Sequence, residues 1–466
     1  MSSQLRSFFK FFIDVEPQER LKVVLLTLGF LCTIGGYTIA KELKDSIFVS
    51  IVGREYVPLA KMISMFVLIP SILFYSRLVD ILRRYQLLYF YCILYGVAGL
   101  VSVYFLGHPV IGLPNTDTGP YRLFGWIFYF LFEGYSPFVV SVFWAFTNSI
   151  TSPTAAKNNY TIMIAGSKFG GMIMCALGIW LLTPDVTTGQ LIFSHVASHQ
   201  ILLGVASCML LCVPFIINHM MKKVPGKYLH GYEAAYRAEK IRSTRTGLMG
   251  TFESLFSGLI MFVRYPYVLG MFGMIFFWEV VSVVVQYWRL AIGQSSTSTI
   301  SEFTKFLFES VFFVHMAGFI IVLFGTRAVI NFLGERKSLI LVPTITGILL
   351  IYYLRVQSAT AVLIVYVLMR SVNYAFAYPL RESLYIPTTK EMKFKSKSWI
   401  DAFGAKVAKG VGSGYNFLSS QFAASALFTM HSLFFVIIIG LWVITAQLLG
   451  KRFEKAIENN EVIGLE

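Results

Sequence analysis

Charge is what this chain has least of. Asp, Glu, Lys and Arg together make up 14% of its 466 residues, against 56% hydrophobic residues. No ordinary soluble domain has that balance. Cysteine is also scarce. Cys32, Cys92, Cys175, Cys208 and Cys212 all fall in apolar runs without metal-ligand spacing, so they are expected as small core residues. The enzyme signatures are missing: no Ser-His-Asp order, no His-Glu-x-x-His and no paired metal ligands. An enzyme is not expected, and no cofactor is implied. The seven histidines lie mostly near span ends (His108, His195 and His199), where a solvated role is expected. The N-terminus has neither a short apolar stretch with a small-residue cleavage site nor a transit peptide. The first helix is therefore expected to be kept, in a bacterial inner membrane.

What the chain has instead is apolar runs of roughly twenty residues, the length at which a helix crosses the hydrocarbon layer. Twelve such spans are predicted, near 21–40, 57–76, 85–106, 123–147, 160–183 and 200–218, then 266–288, 306–326, 338–354, 359–379, 402–424 and 430–449. The fold class is therefore an all-α membrane protein of twelve transmembrane helices. Its layout is a cytoplasmic N-tail (1–20), a six-helix bundle (21–218), a basic linker (219–264), a second six-helix bundle (265–450) and a cytoplasmic C-tail (451–466). With both termini inside, most of the 39 Lys and Arg fall in the tails and inner loops, as the positive-inside rule requires. That bias accounts for the net charge of +15 without a nucleic-acid partner. The halves also echo each other. The short basic turns 76–84 and 325–337 follow the second and eighth spans, and the first is similar to the Asp-x-x-Arg-Arg turn of major facilitator transporters.

A few charges sit inside the spans: Lys61, Glu133, Lys168, Glu279 and Arg370. Each costs about 2.5–3.5 kcal/mol on insertion scales, so each calls for a functional reason. Lys41-Glu-Leu-Lys-Asp45 closes the first span with Lys41, Lys44 and Asp45 on one helix face. It reads as a cationic lip on a central cavity, or as a solvated helix end. Glu133 and Glu279 fall in different halves, and each could bind a coupling proton, neutralise a lysine or form a structural pair. Asn148 ends the fourth span. Lys168 sits in Gly166-Ser-Lys-Phe-Gly-Gly171, whose glycines suit close helix contact and lack Walker spacing. The densest basic cluster runs from Arg381 through Lys397 to Lys409. The glycines at 410, 412 and 414 would bring backbone close to a ligand or another helix. Cations at that helix start suit an anionic substrate.

Several of these stretches together resemble the nucleotide transporter (ATP/ADP translocase) family of intracellular bacteria and plastids. Lys41-Glu-Leu-Lys-Asp45 is similar to that family's Arg-Glu-x-Lys-Asp, and Trp144-Ala-Phe-Thr-Asn-Ser-Ile-Thr151 to its Trp-Gly-Phe-Ala-Asn-Gln-Ile-Thr. Arg381-Glu-Ser-Leu-Tyr-Ile-Pro387 resembles Lys-Glu-Met-Ala-Tyr-Ile-Pro. Lys395-Ser-Lys-Ser-Trp-Ile-Asp401 resembles Lys-Gly-Lys-Ala-Ala-Ile-Asp, and Lys409-Gly-Val-Gly412 resembles Lys-Ser-Gly-Gly. The resemblance puts the family's first functional lysine on Lys44, its membrane glutamates on Glu133 and Glu279, and its C-terminal lysine on Lys397 or Lys409. This chain departs from the pattern in having Tyr135 where a Trp is usual and a charge at Lys168.

The resemblance implies a major-facilitator-like secondary transporter for nucleotides, by ATP/ADP-type exchange or with a coupling proton, embedded in the lipid bilayer. Substrate contacts are expected from Lys44, Lys61, Glu133, Asn148, Lys168, Glu279, Arg381, Lys397 and Lys409. The alternatives are a carrier for another anionic metabolite and a non-transporting membrane scaffold.

Overall fold

The computed structural model describes residues 17–151, 153–185, 187–229, 264–324, 326–385, 387–388, 400 and 404–464. They are helical almost throughout, and the one β-bridge among them pairs Thr388 with Ile463. The first half runs α1 (Pro17–Ile51), α2 (Val57–Ile81), α3 (Arg84–Leu106), α4 (Leu123–Ile150), α5 (Pro153–Leu181) and α6 (His195–Lys223). The second runs α7 (Pro266–Ser295), α8 (Ile300–Phe324) and α9 (Thr326–Val356). Next come α10 (Ala359–Val372, a π turn at Asn373–Ala377, then Tyr378–Ser383), α11 (Ala405–Ser419) and α12 (Ala424–Glu458). Among the described residues, nine helices are long and apolar enough to cross a membrane.

The chain divides into two compact units. The first draws on Met1–Ala60, Phe66–Ser243 and Gly293–Phe319, and the second on Lys61–Met65, Thr244–Ile292 and Ile320–Glu466. The first part of α8 thus belongs with α1–α6.

In the first unit α1 is the hub, packed against α4, α5 and α6. Glycines set the crossing distances. A Cβ on Gly166 or Gly170 of α5 would meet Thr27 or Leu31 of α1, and one on Gly36 would approach the Ala206 carbonyl of α6 to 3.0 Å. Small residues let helix backbones approach where hydrophobic burial alone does not drive association. The glycine-rich run around Lys168 therefore serves packing. Ser194 caps α6 by accepting from the Ala197 amide at 3.2 Å.

Two sequence expectations fail here. Cys32, Cys92 and Cys175 are buried, but Cys208 and Cys212, one turn apart on α6, are exposed. Hydropathy marks a helix as apolar without saying which side is covered. His199 is not solvated either. It is fully buried, with Nδ1 on the His195 carbonyl and Nε2 2.9 Å from Thr304 Oγ1 of α8, while His195 bonds Ser301 at 2.7 Å. Both histidines bind α8 to this unit.

In the second unit α9 packs on α12 and α10. Trp288 of α7 sits among Tyr353, His431 and Phe435. The chain end folds back, with the Ile463 amide donating to the Pro387 carbonyl at 2.7 Å. Of the glycines in α11, Gly412 makes the close approach: a Cβ there would lie 2.8 Å from the Val280 carbonyl and 3.2 Å from Val280 Cα. Gly410 and Gly414 face open space. Backbone cannot retreat as a side chain can, so Gly412→Val is expected to destabilise the protein by about 1–3 kcal/mol. Thermal unfolding in detergent checks this, with Gly410→Ala as the silent comparison.

Large apolar side chains cover the outside of both units, among them Phe66, Tyr104, Phe215 and Val436. Such surface suits hydrocarbon.

Candidate functional site

Each unit holds a lysine–glutamate pair on helices far apart in sequence. In the first, Lys44 of α1 donates to Glu133 Oε2 of α4 at 2.6 Å and stands 3.2 Å from Asp45 Oδ1. Its ammonium also lies over the Tyr129 ring, 4.3 Å from the centroid. The Lys44 and Asp45 side chains are 4% and 1% exposed, so this end of α1 is interior and not a solvated helix end. Lys41 and Glu42 form a further pair at 2.6 Å, with Glu42 wholly buried.

The cost of burying Lys44 is offset only because several acceptors converge on it. Removing one partner from such a pair typically costs about 3–5 kcal/mol. Glu133 also closes the regular part of its helix: a π turn follows at Ser136–Val140. Such turns re-aim the backbone and recur at functional positions.

In the second unit Lys409 of α11 stands 3.8 Å from Glu279 Oε2 of α7. This pair is looser and wetter, with side chains 36% and 20% exposed. Lys61 falls in the same unit and donates to Gln286 Oε1 of α7 at 3.1 Å. Arg370 of α10 donates to that same oxygen at 3.2 Å and to Ser282 Oγ at 3.3 Å.

The remaining candidates sit elsewhere. Asn148 Oδ1 accepts from Tyr160 Oη at 2.5 Å, between the end of α4 and the start of α5. The Lys168 side chain runs beside Gly318 of α8, where its Nζ would lie 3.9 Å from an added Cβ. Nearby, His315 of α8 meets Thr38 Oγ1 of α1 at 3.2 Å. Arg381 is half-buried in the last turn of α10. Lys397 lies outside the described residues, as does most of the basic run that follows Arg381.

Sequence reasoning did not single out Tyr129, Gln286, Arg289 or Tyr366. For the tyrosines a signal existed: each precedes a charged residue of the same helix, Glu133 or Arg370, by one turn. For Gln286 there was none, since a neutral amide in a membrane helix carries no charge penalty to attract attention.

The TLC ATP/ADP transporter family matches residues 1–118 and 121–453. The chain belongs to that family. It is 24% identical to ADP,ATP carrier protein 1 of Chlamydia muridarum (strain MoPn / Nigg), over 97% of this chain and 91% of that protein. It is 23% identical to ADP,ATP carrier protein 5 of Rickettsia typhi (strain ATCC VR-144 / Wilmington), over 92% of each. Its fold is that of solved transporters: a D-xylose-proton symporter (TM-score 0.60, 12% identity, covering 93% and 96% of the two chains). A bacterial homolog of the human lysosomal transporter Spinster gives 0.57 at 13% identity, covering 95% and 98%. The expected all-helical, major-facilitator-like carrier is thus what the chain forms. As a member of this family it is a multi-pass membrane transporter, not an enzyme.

Proposed function

We propose that this carrier exchanges nucleotides of the ATP/ADP type across a bacterial inner membrane by alternating access, with both termini cytoplasmic. Residues 21–218 and 265–450 would act as its two bundles, joined by the basic linker 219–264. The observation that carries the reading is the buried Lys44–Glu133 pair over Tyr129. A nucleotide brings several negative charges into a region without bulk water, and a lysine already desolvated and held by a carboxylate can change partners. Phosphate displaces Glu133 from Lys44 on entry, and Glu133 compensates Lys44 again when the site empties. Lys409 and Glu279 repeat the arrangement in the other unit. Lys61, Asn148, Lys168, Arg381 and Lys397 supply further contacts to the polyanion and its base. The relatives named as ADP,ATP carriers support the same substrate class.

Both glutamates stand against lysines, which favours exchange over proton coupling: each carboxylate has a permanent cation to answer. Whole cells expressing the protein are therefore expected to take up labelled ATP only when preloaded with internal nucleotide. Unlabelled ADP should compete, and a protonophore should have little effect. Uptake that collapses with the protonophore and ignores internal nucleotide would assign the glutamates to a proton instead. A panel of unlabelled nucleotides in the same assay orders the substrates.

A further inference from the structure

Helices α7 and α11 meet along a seam within the second unit. Lys409 stands 3.8 Å from Glu279 Oε2. One turn on, a Cβ at Gly412 would lie 2.8 Å from the Val280 carbonyl oxygen. One turn further, Asn416 Nδ2 donates to the Val283 carbonyl at 3.4 Å. Lys409, Gly412, Ser413 and Asn416 share one face of α11, because they are spaced i, i+3, i+4 and i+7.

Two oxygens on this face stand out. Ser413 is fully buried and Asn416 is 2% exposed. Ser413 Oγ and Asn416 Oδ1 have no hydrogen-bond partner among the described residues. A serine inside a helix ordinarily donates to a carbonyl one turn back. Ser102, Ser207 and Ser419 of this chain do so. Asn416 spends a donor on Val283, which fixes its oxygen as the acceptor turned the other way. Buried oxygens left like this call for a water or an ion. The close backbone approach at Gly412 keeps the space small. The groups bordering it are mostly oxygen: a hydroxyl, an amide oxygen, a helix carbonyl and, directly before Val280, the Glu279 carboxylate. Such a set suits a hard cation, and carbonyl oxygens of membrane helices hold sodium in this way. A water would satisfy the two orphan oxygens but would not answer the carboxylate.

We propose that Ser413 Oγ and Asn416 Oδ1, with oxygens of Val280 and Glu279, bind a small monovalent cation such as sodium between α7 and α11. Its role rests on the nucleotide-carrier reading. While Lys409 stands against Glu279, that carboxylate already has a cation beside it. When substrate phosphate draws Lys409 away, sodium takes its place as the countercharge of Glu279. Sodium and nucleotide therefore favour each other, and by the same factor in both directions.

The test uses the purified full-length protein in detergent, in sodium chloride and in choline chloride of equal ionic strength. ATP should bind roughly 5- to 150-fold more tightly in the sodium salt, the usual range of coupling between two sites. Ser413→Ala and Asn416→Ala should each bring that ratio close to one, with ATP affinity in choline chloride unchanged. Ser413→Ala removes a single oxygen, so it decides the matter if Asn416→Ala does not fold. In Lys409→Gln, sodium should raise the melting temperature without nucleotide, along a saturating dose curve that adding Ser413→Ala abolishes. A serine that served packing alone would not produce this. Equal ATP affinity in the two salts for the wild type, or an undiminished ratio in Ser413→Ala, overturns the cation site and leaves the orphan oxygens to water. A wild type that binds no nucleotide, with Ser413-dependent sodium stabilisation still present in Lys409→Gln, defeats the carrier reading and leaves the site standing. Nucleotide exchange that is normal and indifferent to sodium does the reverse.

Discussion

Lys44→Ala is expected to abolish nucleotide uptake while the protein still reaches the membrane. Lys44 makes the shortest and most buried ion pair of the two lysine–glutamate sites, at 2.6 Å from Glu133. Losing it removes the cation that the incoming phosphate needs, the same one that Glu133 Oε2 and Asp45 Oδ1 approach. A single charged hydrogen bond is worth about 1.5–3 kcal/mol. On that scale alone uptake should drop by roughly 100-fold. The helix crossings at Gly35, Gly36 and Gly166 do not involve Lys44, so the bundle should assemble. The purified variant should nevertheless melt lower, because breaking a buried pair costs about 3–5 kcal/mol. The double variant Lys44→Ala with Glu133→Gln separates the two effects: part of the stability should return and transport should not. Labelled ATP uptake normalised to the immunoblotted membrane level, with melting curves beside it, reads both. Uptake close to wild type in Lys44→Ala would remove Lys44 from the transport path.

Lys409→Ala is expected to impair transport as severely with almost no change in stability. The pair with Glu279 is long at 3.8 Å and both side chains reach solvent, and exposed pairs contribute about 0–1 kcal/mol. Glu279→Gln should also leave melting unchanged while altering the ATP concentration that half-saturates uptake. If Lys409→Ala transports normally, the C-terminal lysine role passes to Lys397. Opposite stability responses at Lys44 and Lys409, with a shared loss of transport, would distinguish one deeply desolvated site from one wet one.

Much of this was legible in the chain. Apolar runs of membrane length carry their own structural instruction, because a backbone without water must form helix. The same scarcity of charge made Lys61, Glu133, Lys168, Glu279 and Arg370 conspicuous. The motifs around Lys44, Asn148, Arg381 and Lys409 resembled one transporter family, to which the chain belongs. Which charge answers which was not legible. Glu133 could have met any of several lysines. Arg370 drew notice as a charge within a span and was not counted among the substrate contacts. His199 and Cys212 were misjudged because hydropathy averages around a helix and does not distinguish its covered side from its open one.

The sequence by itself determined that the protein is a helical membrane protein, since the cost of exposing backbone or charge to hydrocarbon is local and readable residue by residue. Only the tertiary structure decided that Lys44 is paired with Glu133 over Tyr129, and that Lys61 and Arg370 share Gln286. Electrostatic partners inside a bundle are chosen by which helix faces are brought within a few ångströms of each other. That choice is made by packing at the glycine crossings and by where the π turns re-aim α4 and α10, neither of which hydropathy records.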